Sequence, residues 1–257
     1  MVSRVAIVGA GNVATHLAVS LSSAGVDVCA VCARHMDSAR RLAERVGAVA
    51  LTGCAQISRD VDYIIISVSD AMVAPVAESL PCTDAVVVHT SGSVPLEVVA
   101  ARHQRAGVLY PLQTFSRDIA VDVSQVPFFT EATDADTLAE VDRLAHMLSQ
   151  HVYHADSDRR RYLHVAGVMS SNFTVYLLEQ CREVLARAGY PLDVVRPLVE
   201  ATVAKVFASS PREAMTGPAR RGDLAVSDAH MRLLGGEAGE IYKAISTEIY
   251  KMYHELD

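Results

Sequence analysis

The feature of this 257-residue sequence that most constrains its fold is a glycine-rich turn near the N-terminus. The run Ser3–Val8 is apolar and predicts a strand. Asn12–Ala24 carries apolar residues at helical spacing, and Gly25 is predicted to end that helix. Between them Gly9–Ala14 reads G-A-G-N-V-A and fits the pattern G-x-G-x-x-A. Because the pattern stands between a strand and a helix, it predicts the first βα unit of a Rossmann dinucleotide-binding domain.

Each position of this turn has a physical reason for its residue type. The first glycine permits the tight turn, the second lets the backbone approach a pyrophosphate, and Ala14 allows helix and strand to pack closely. The N-terminus of the helix offers free N–H groups and a positive dipole end to phosphates. The predicted cofactor-binding residues of the turn are Gly9, Gly11, Asn12 and Val13. A Rossmann-like turn that has lost its nucleotide is the alternative.

The end of the second predicted strand, Val26–Cys32, distinguishes NAD from NADP. An NAD site usually places an acidic residue there to accept a hydrogen bond from the ribose 2′-hydroxyl. Here the chain continues Ala33-Arg34-His35, with no acid, and Arg34 could pair with a 2′-phosphate. The sequence therefore predicts NADP rather than NAD, with a solvated surface charge as the alternative interpretation of Arg34.

Strand-like and helical runs alternate through the first 154 residues. The further predicted strands are Val49–Leu51, Val61–Val68, Ala85–His89, Val108–Tyr110, Val126–Thr130 and Val152–His154, and the further predicted helices are Met36–Val46 and Asp134–Gln150. This alternation predicts an α/β fold with a doubly wound parallel sheet and right-handed crossovers. The predicted Rossmann domain covers residues 1–154.

After about residue 155 the pattern is helical only. The predicted helices are Asp156–Gly189, Leu192–Ser209 and Asp223–Asp257, the last of them broken near Gly235. The boundary is placed near 152–156, which leaves an all-α domain at 155–257 for substrate binding and dimerisation. The final helix is apolar along one stripe, which is typical of core and favours a homodimer.

Charge and composition exclude several classes of protein. The net charge is −7, and the 20 arginines and 3 lysines are scattered, whereas a nucleic-acid partner needs a basic surface. No apolar stretch approaches the ~18–20 residues of a membrane span, and because a predicted strand begins at once we expect no signal peptide. We therefore expect a cytoplasmic protein with no nucleic-acid or membrane partner. Five cysteines without metal-like spacing predict reduced, mostly buried thiols, with no redox role and no metal site.

Polar residues follow the predicted strands at the edge where open α/β sheets bind ligands. Ser67, Val68 and Ser69 follow the fourth strand and are predicted to line the nicotinamide ribose. The fifth strand leads into His89–Ser93, which reads H-T-S-G-S and suits a backbone close to a ligand, although ordinary turn chemistry explains it as well. Tyr110–Phe115 follows the sixth strand and is interpreted as a site floor.

The first long predicted helix supplies the candidates for catalysis. Its spacing places His164, Ser171 and Asn172 near one face. A histidine could donate a proton to a carbonyl oxygen that receives hydride, and an asparagine could hold that oxygen. We predict His164 as the acid, with Asn172 and Ser91 as positioning groups. Satisfied polar residues at a helix–domain contact are the alternative.

A polar segment, Thr216–Asp223, lies between the last predicted helices, with His230 beyond it. Arg220 and Arg221 beside Asp223 could bind a substrate carboxylate bidentately, or tie the segment to its neighbours. The sequence leaves both interpretations open. A small, anionic substrate is expected.

The whole chain resembles a bacterial family of two-domain proteins whose helical C-terminal domain has long had no known function. The resemblance rests on Gly9–Ala14, His89–Ser93, Tyr110–Phe115, His164 with Asn172, and Thr216–Asp223 with His230. The N-terminal half is also similar to deazaflavin-dependent NADP oxidoreductases and to pyrroline-5-carboxylate reductase. The resemblance implies a helical domain like that of 6-phosphogluconate dehydrogenase, and it leaves room for a deazaflavin as a second redox partner.

Some members of that family are regarded as an alternative ketopantoate reductase, which implies NADPH-dependent reduction of a 2-oxo acid. Better-known ketopantoate reductases use a lysine of the helical domain, and Lys205, Lys243 and Lys251, the three lysines here, match no such motif. The leading hypothesis is therefore an NADP-dependent reductase of a small carbonyl or imine with His164 as the acid. The alternative is a sensor or scaffold that binds NADP without transferring hydride.

Overall fold

A single eight-stranded sheet in the order β3-β2-β1-β4-β5-β6-β7-β8 organises the N-terminal part of the chain. The structure, a computed structural model, describes residues 3–117 and 119–254. The strands are Arg4–Val8 (β1), Asp27–Cys32 (β2), Val49–Leu51 (β3), Tyr63–Ile66 (β4), Val86–His89 (β5), Ala106–Pro111 (β6), Phe128–Ala132 (β7) and Val152–His154 (β8). The order 3-2-1-4-5-6 is the doubly wound Rossmann arrangement, so the predicted α/β fold class is confirmed.

The last two strands depart from the predicted parallel sheet. Strands β1 to β6 pair in parallel, but β7 pairs antiparallel with β6, and β8 runs parallel to β7. A parallel return needs a long crossover, usually a helix. Between β6 and β7 the described residues hold only the 3₁₀ turn Val123–Gln125, so the chain reverses instead.

Helices cover both faces of this sheet. They are Asn12–Ser23 (α1), Met36–Val46 (α2), Val73–Ser79 (α3), Glu97–Ala100 (α4), Ala135–His146 (α5) and Ser157–Ser170 (α6). Gly25 ends α1 as predicted, with a positive φ of 83° and an N–H that donates to the Ser22 carbonyl. The sequence pattern does not predict α3 or α4, which are short.

The sheet is buried on both faces, which explains its continuously apolar strands. Alternate residues of β4 enter two different apolar clusters: Ile65 packs with Leu17 of α1, whereas Ile64 and Ile66 pack on the other side with Val73 of α3. All three isoleucines are at most 1% exposed. A strand in this position has no face left for polar side chains.

The chain divides into two compact units, residues 1–171 and 172–257. The alternation of strands and helices stops after β8 at His154, and the predicted domain boundary near 152–156 rests on that change. Helix α6 is in the first unit, where Arg160 pairs with Glu131 of β7. The division into domains 1–154 and 155–257 stays a prediction.

The single helix predicted over Asp156–Gly189 is wrong, because the chain forms α6 and then Asn172–Arg187 (α7), with a break at Ser171. The Ser170 hydroxyl donates to the Ala166 carbonyl four residues earlier, at 2.8 Å. A hydroxyl that bonds back in this way bends a helix. Helical periodicity runs through the break, so spacing alone does not reveal it.

The second unit is helical throughout. Its helices are α7, Arg196–Ala208 (α8), Pro211–Ala214 (α9), Pro218–Arg221 (α10), Leu224–Leu234 (α11) and Gly236–His254 (α12). The predicted break at Gly235 is confirmed, with a φ of 63°, while the last predicted helical residues, 255–257, lie outside the described residues. Nowhere in the two described ranges is a helix both long and apolar enough to cross a membrane.

Candidate functional site

The glycine turn joins β1 to α1 as predicted and is tightly supported on one side. Gly9 has a φ of 125°, and its N–H donates to the Cys32 carbonyl at the end of β2, at 2.8 Å. A Cβ at Gly9 would lie 1.9 Å from the Ser67 carbonyl oxygen, so no other residue type fits. Apart from Gly11 itself and its two chain neighbours, no described heavy atom lies within 4 Å of the corresponding position at Gly11. The turn is thus packed against protein at its first glycine and open at its second.

The first turn of α1 presents unsatisfied N–H groups at this open side. Its cap residue, Gly11, provides no side-chain acceptor, and no acidic residue stands in the first turn. Thr15 is the first residue whose N–H reaches a helix carbonyl, that of Gly11, at 3.0 Å. The N–H groups of Asn12, Val13 and Ala14 therefore lack intrahelical acceptors, and together with the helix dipole they suit a pyrophosphate.

A segment after β6 folds onto the glycine turn, which the sequence does not reveal. The Asn12 amide donates to the Phe115 carbonyl at 2.8 Å, and the Arg117 guanidinium donates to the Ala10 carbonyl, also at 2.8 Å. The Asn12 side chain is therefore engaged with protein, which leaves its backbone N–H for a ligand. Arg117 places a positive charge beside the glycine turn and is a candidate binding residue absent from the predicted set.

Arg34 follows β2 and is exposed. Its Nε donates to the His35 ring at 3.3 Å, and it forms no ion pair with any residue of the described ranges. The nearest acid along the chain is Asp37, in the first turn of α2. The end of β2 thus carries an uncommitted positive charge where an NAD site would carry an acid.

The predicted ribose-lining residues follow β4 beside the glycine turn. The Ser67 N–H donates to the Val8 carbonyl at 2.7 Å, and Val68 Cγ1 lies 3.5 Å from the Cβ position of Gly9. Ser69 is exposed and begins the 3₁₀ turn Asp70–Met72. All three stand at the carboxyl edge of the sheet, and contact with a ribose stays a prediction.

The turn after β5 is held from within by a buried histidine. His89 is fully buried and accepts the Ser91 N–H at Nδ1, at 3.2 Å. Burial lowers the pKa of His89 to about 3, and the charge of Arg160 acts in the same direction. The Ser91 hydroxyl accepts the N–H groups of Ser93 and Val94, at 3.1 and 3.0 Å. The Ser91 oxygen therefore stabilises the turn as a hydrogen-bond acceptor. The hydrogen of the same hydroxyl group could donate to a ligand.

Helix α6 brings His164 against this turn, and Tyr110 at the end of β6 joins it. The Tyr110 hydroxyl oxygen lies 3.3 Å from His164 Nδ1, with the two rings edge to face. A Cβ at Gly92 would lie 2.7 Å from that nitrogen and 2.8 Å from Tyr110 Cζ. Because glycine has no side chain, the rings of His164 and Tyr110 can pack directly against the turn at position 92. Burial raises the pKa of Tyr110, which keeps its hydroxyl protonated.

An internal ion pair fixes α6 one turn before His164. Arg160 is fully buried, pairs with Glu131 of β7 and donates to the Val94 carbonyl just after the serine turn. The Ser157 hydroxyl also donates to Glu131, at 3.0 Å. Helix α6, β7 and the turn after β5 are therefore joined through one guanidinium, which sets where His164 stands.

Asn172 does not share a continuous helix with His164. It begins α7 after the break at Ser171 and is the first residue of the second compact unit. The spacing argument that placed the two side chains on one helix face is therefore wrong. A positioning role for Asn172 stays a prediction.

The arginine segment of the second unit is tied to its neighbours. Arg220 donates to the Met215 carbonyl, and its guanidinium lies 5.2 Å from the ring centre of Tyr253. Asp223 caps α11 by accepting the Val226 N–H at 3.2 Å. These contacts favour the structural interpretation of Arg220 and Asp223, while Arg221 is exposed.

His230 of α11 forms a hydrogen bond with Tyr242 of α12, and its ring nitrogen Nδ1 lies 2.8 Å from the tyrosine hydroxyl oxygen.

Among the residues that the structure describes, no group of three or more His, Cys, Asp or Glu side chains is arranged to hold a metal ion.

Two family models match different parts of the chain. Residues 4–92 match the family described as NADP oxidoreductase coenzyme F420-dependent. Residues 126–249 match a domain of unknown function, DUF2520. No curated protein sequence matches the chain.

Several solved structures share the fold along nearly the whole chain. A candidate NADP oxidoreductase from Bacteroides fragilis, BF3122, is 35% identical, with 97% of this chain and 98% of that chain covered and a TM-score of 0.89. Protein TM1727 from Thermotoga maritima is 23% identical, covering 98% and 100%, with a TM-score of 0.81. An imine reductase from Myxococcus stipitatus in complex with NADP+ is 15% identical, covering 98% and 93%, with a TM-score of 0.66.

Proposed function

The chain belongs to the two-domain oxidoreductase family that includes the candidate NADP oxidoreductase of Bacteroides fragilis, and on that premise we propose that it reduces a small carbonyl or imine with NADPH. The observation that carries the proposal is the His164–Tyr110 pair against the turn after β5. This pair stands at the same sheet edge as the glycine turn, where ligands of doubly wound sheets bind. A 2-oxo acid such as ketopantoate is the proposed substrate class.

The residues at this edge fit NADP(H). The open side of Gly11 and the free N–H groups of α1 would take the pyrophosphate, with the Arg117 charge beside them. Arg34, which has no ion pair among the described residues, would take the 2′-phosphate, and no acid opposes it there. The bound cofactor would supply hydride. NAD fits less well because an acid for its ribose 2′-hydroxyl is absent from the end of β2.

His164 is the group that would deliver a proton. When the Tyr110 hydroxyl donates to Nδ1, the neutral ring carries its proton on Nε2. Nε2 is then the atom that can donate to a substrate oxygen or nitrogen. The Arg160–Glu131 pair holds the helix that carries His164, so the ring is oriented before a substrate arrives. Tyr110 acts through His164 and is a positioning residue in this proposal.

Calorimetric titration with NADPH and NADH tests the cofactor. Arg34→Ala should weaken NADPH binding about tenfold or more, roughly 1.4 kcal/mol, and leave NADH binding unchanged. Arg40→Ala, which removes an exposed arginine of α2, is the matched control and should bind like wild type. Failure of wild type to bind either nucleotide would overturn the proposal.

Transfer of deuterium from labelled NADPH to a panel of 2-oxo acids and cyclic imines tests the reaction. His164→Ala should lower kcat by about 10²–10⁴-fold with NADPH affinity unchanged. Tyr110→Phe should lower kcat less and shift the pH profile, because it removes only the partner of Nδ1. Tight NADPH binding without label transfer to any panel member would favour the sensor or scaffold alternative.

We propose in addition that the chain is a homodimer formed through its helices. Leu198 and Phe207 of α8 are 67% and 87% exposed, and α6 and α7 also carry exposed Tyr162 and Phe173. Apolar surface on this scale is typical of a protein interface. Light scattering should give twice 27.6 kDa for wild type.

Leu198→Glu should shift the mass toward the monomer. Glu200→Lys is the matched control, since it changes a charge about 200° around the same helix from Leu198 and should stay dimeric. A monomeric wild type at working concentration would contradict the dimer proposal.

A further inference from the structure

Two cysteines far apart in the sequence meet beside the cofactor edge of the sheet. Cys32 ends β2, and Cys54 opens a 3₁₀ turn shortly after β3. The pairing of β2 with β3 sets Cys32 opposite Leu51, and the two sulfur atoms lie 3.6 Å apart. The sequence-based expectation of mostly buried thiols is wrong, since only Cys32 among the five is buried.

The two thiols differ in the way that an attacking and a resolving cysteine must differ. Cys32 is 2% exposed, whereas Cys54 is only partly buried. A hydrogen bond links the two sulfur atoms, in which either thiol can be the donor, and it lowers the pKa of Cys54. The same bond and burial raise the pKa of Cys32. Cys54, which is less buried than Cys32 and has the lowered pKa, is therefore the thiol that a reagent meets first.

The pair is connected to the cofactor site through the backbone. The Cys32 carbonyl accepts the N–H of Gly9, at 2.8 Å, and so holds the first glycine of the turn. Arg34, the proposed partner of the 2′-phosphate, follows two residues later. A covalent change at Cys32 therefore acts on both the pyrophosphate and the 2′-phosphate ends of the proposed site.

We infer that Cys54 and Cys32 form a peroxide-reactive pair whose oxidation to a disulfide weakens NADPH binding. The disulfide itself rests on the sulfur geometry, and its consequence rests on the proposed function. Closing the bond would draw the sulfurs from 3.6 Å to about 2.05 Å, and the inference requires that the end of β2 and the turn after β3 shift as this happens. The Gly9 contact to the Cys32 carbonyl moves with them.

The chemistry balances with a hydroperoxide as oxidant. The Cys54 thiolate attacks one peroxide oxygen, the O–O bond breaks, and Cys54 becomes a sulfenic acid while hydroxide or alkoxide leaves. The leaving anion takes a proton from the Cys32 thiol. The Cys32 sulfur then attacks Cys54, the S–S bond forms, the S–O bond breaks and water leaves with a second proton from solvent. The two cysteines lose two electrons, and the peroxide gains them.

Treatment of the full-length, cofactor-stripped protein with hydrogen peroxide tests the inference. Peptide mapping should find a Cys32–Cys54 disulfide, and titration should show NADPH binding weakened about tenfold or more, restored by dithiothreitol. Cys54→Ser should form no disulfide and keep its affinity. Cys32→Ser should stop at a Cys54 sulfenic acid that dimedone traps, and Cys82→Ser, which removes an exposed thiol, should respond like wild type.

The outcomes separate the inference from the proposed function. Oxidation confined to Cys82 or Cys181, with Cys32 and Cys54 still reduced, would contradict the inference that Cys32 and Cys54 form a peroxide-reactive pair. A Cys32–Cys54 disulfide with unchanged NADPH affinity would overturn the coupling. Reduced protein that binds no NADPH would overturn the proposed function and the coupling, while peptide mapping would still decide whether the disulfide forms.

Discussion

The two compact units differ most in where they keep their apolar side chains. In the sheet unit, large residues such as Ile7, Leu17 and Phe128 are fully buried. In residues 172–254 only Ser227 and Gly239 are buried, although helices α7, α8, α11 and α12 are all apolar in part. The sheet unit thus contains its own core, whereas the apolar side chains of the helical unit are exposed.

This difference has a physical consequence for stability. Burial contributes about 25 cal/mol per Å² of apolar surface, and isolated short helices are marginal in water. The sheet unit should therefore be stable by virtue of its own contacts. The stability of the helical unit should depend on what covers it, and a second copy of the chain is the cover that we propose.

The largest expected contrast is between a buried and an exposed ion pair. Arg160→Met would leave Glu131 unpaired inside the sheet unit and should cost about 3–5 kcal/mol of unfolding free energy in urea. Arg182→Met in α7 removes an exposed pair with Glu179 and should leave the urea midpoint unchanged. Equal shifts of the urea midpoint for the two variants would contradict the expected difference between the buried and the exposed ion pair. The double variant Arg160→Met, Glu131→Leu should recover part of the loss.

A matched pair of leucines probes the cores. Leu17→Ala in the sheet unit should cost about 2–5 kcal/mol, because it opens a cavity among fully buried neighbours. Leu198→Ala in α8 should cost little when the protein is dilute and more as concentration rises, because its burial depends on a partner. Urea unfolding at two protein concentrations measures both. A cost for Leu198→Ala that does not change with concentration would contradict cover by a second copy.

The unfolding free energy of the sheet unit should also fall at acidic pH, because His89 is buried in its neutral form. The folded protein keeps this histidine neutral down to about pH 3, whereas the unfolded chain protonates it near pH 6.5. The unfolded state then binds more protons, so the unfolding free energy should fall by about 1.4 kcal/mol per pH unit between those values. Above pH 6.5 the contribution is fully present. His89→Asn keeps an acceptor for the Ser91 N–H and should remove this slope, and an unchanged slope would refute the assignment.

The smallest contrast uses two equivalent helix caps. Asp156 accepts the Arg159 N–H at the start of α6, and Asp223 accepts the Val226 N–H at the start of α11. Each replacement by alanine should cost about 1 kcal/mol. In calorimetric scans, Asp156→Ala should move the transition of the sheet unit and Asp223→Ala that of the helical unit. If both variants shift one common transition, the units unfold together and the comparison fails.

Local features could be predicted from the sequence because their causes lie in adjacent residues. Helix α2 and strands β3 and β8 have the predicted bounds, and Gly25 and Gly235 end helices where a left-handed residue is needed. The glycine turn and the two-domain family were recognisable for the same reason, since each motif is contiguous. The predictions fail where a side chain acts on the backbone, as Ser170 does at the break after α6, or where a crossover helix is missing before β7.

The sequence by itself therefore determined the fold class, the family and the edge of the sheet at which the proposed site lies. Only the tertiary structure decided which distant residues meet there. Arg117 reaches Ala10 across 107 positions, Tyr110 reaches His164 across 54, and Cys32 reaches Cys54 across 22. No spacing rule links such residues, because the packing of whole elements brings them together, and each element is placed by the core rather than by the site.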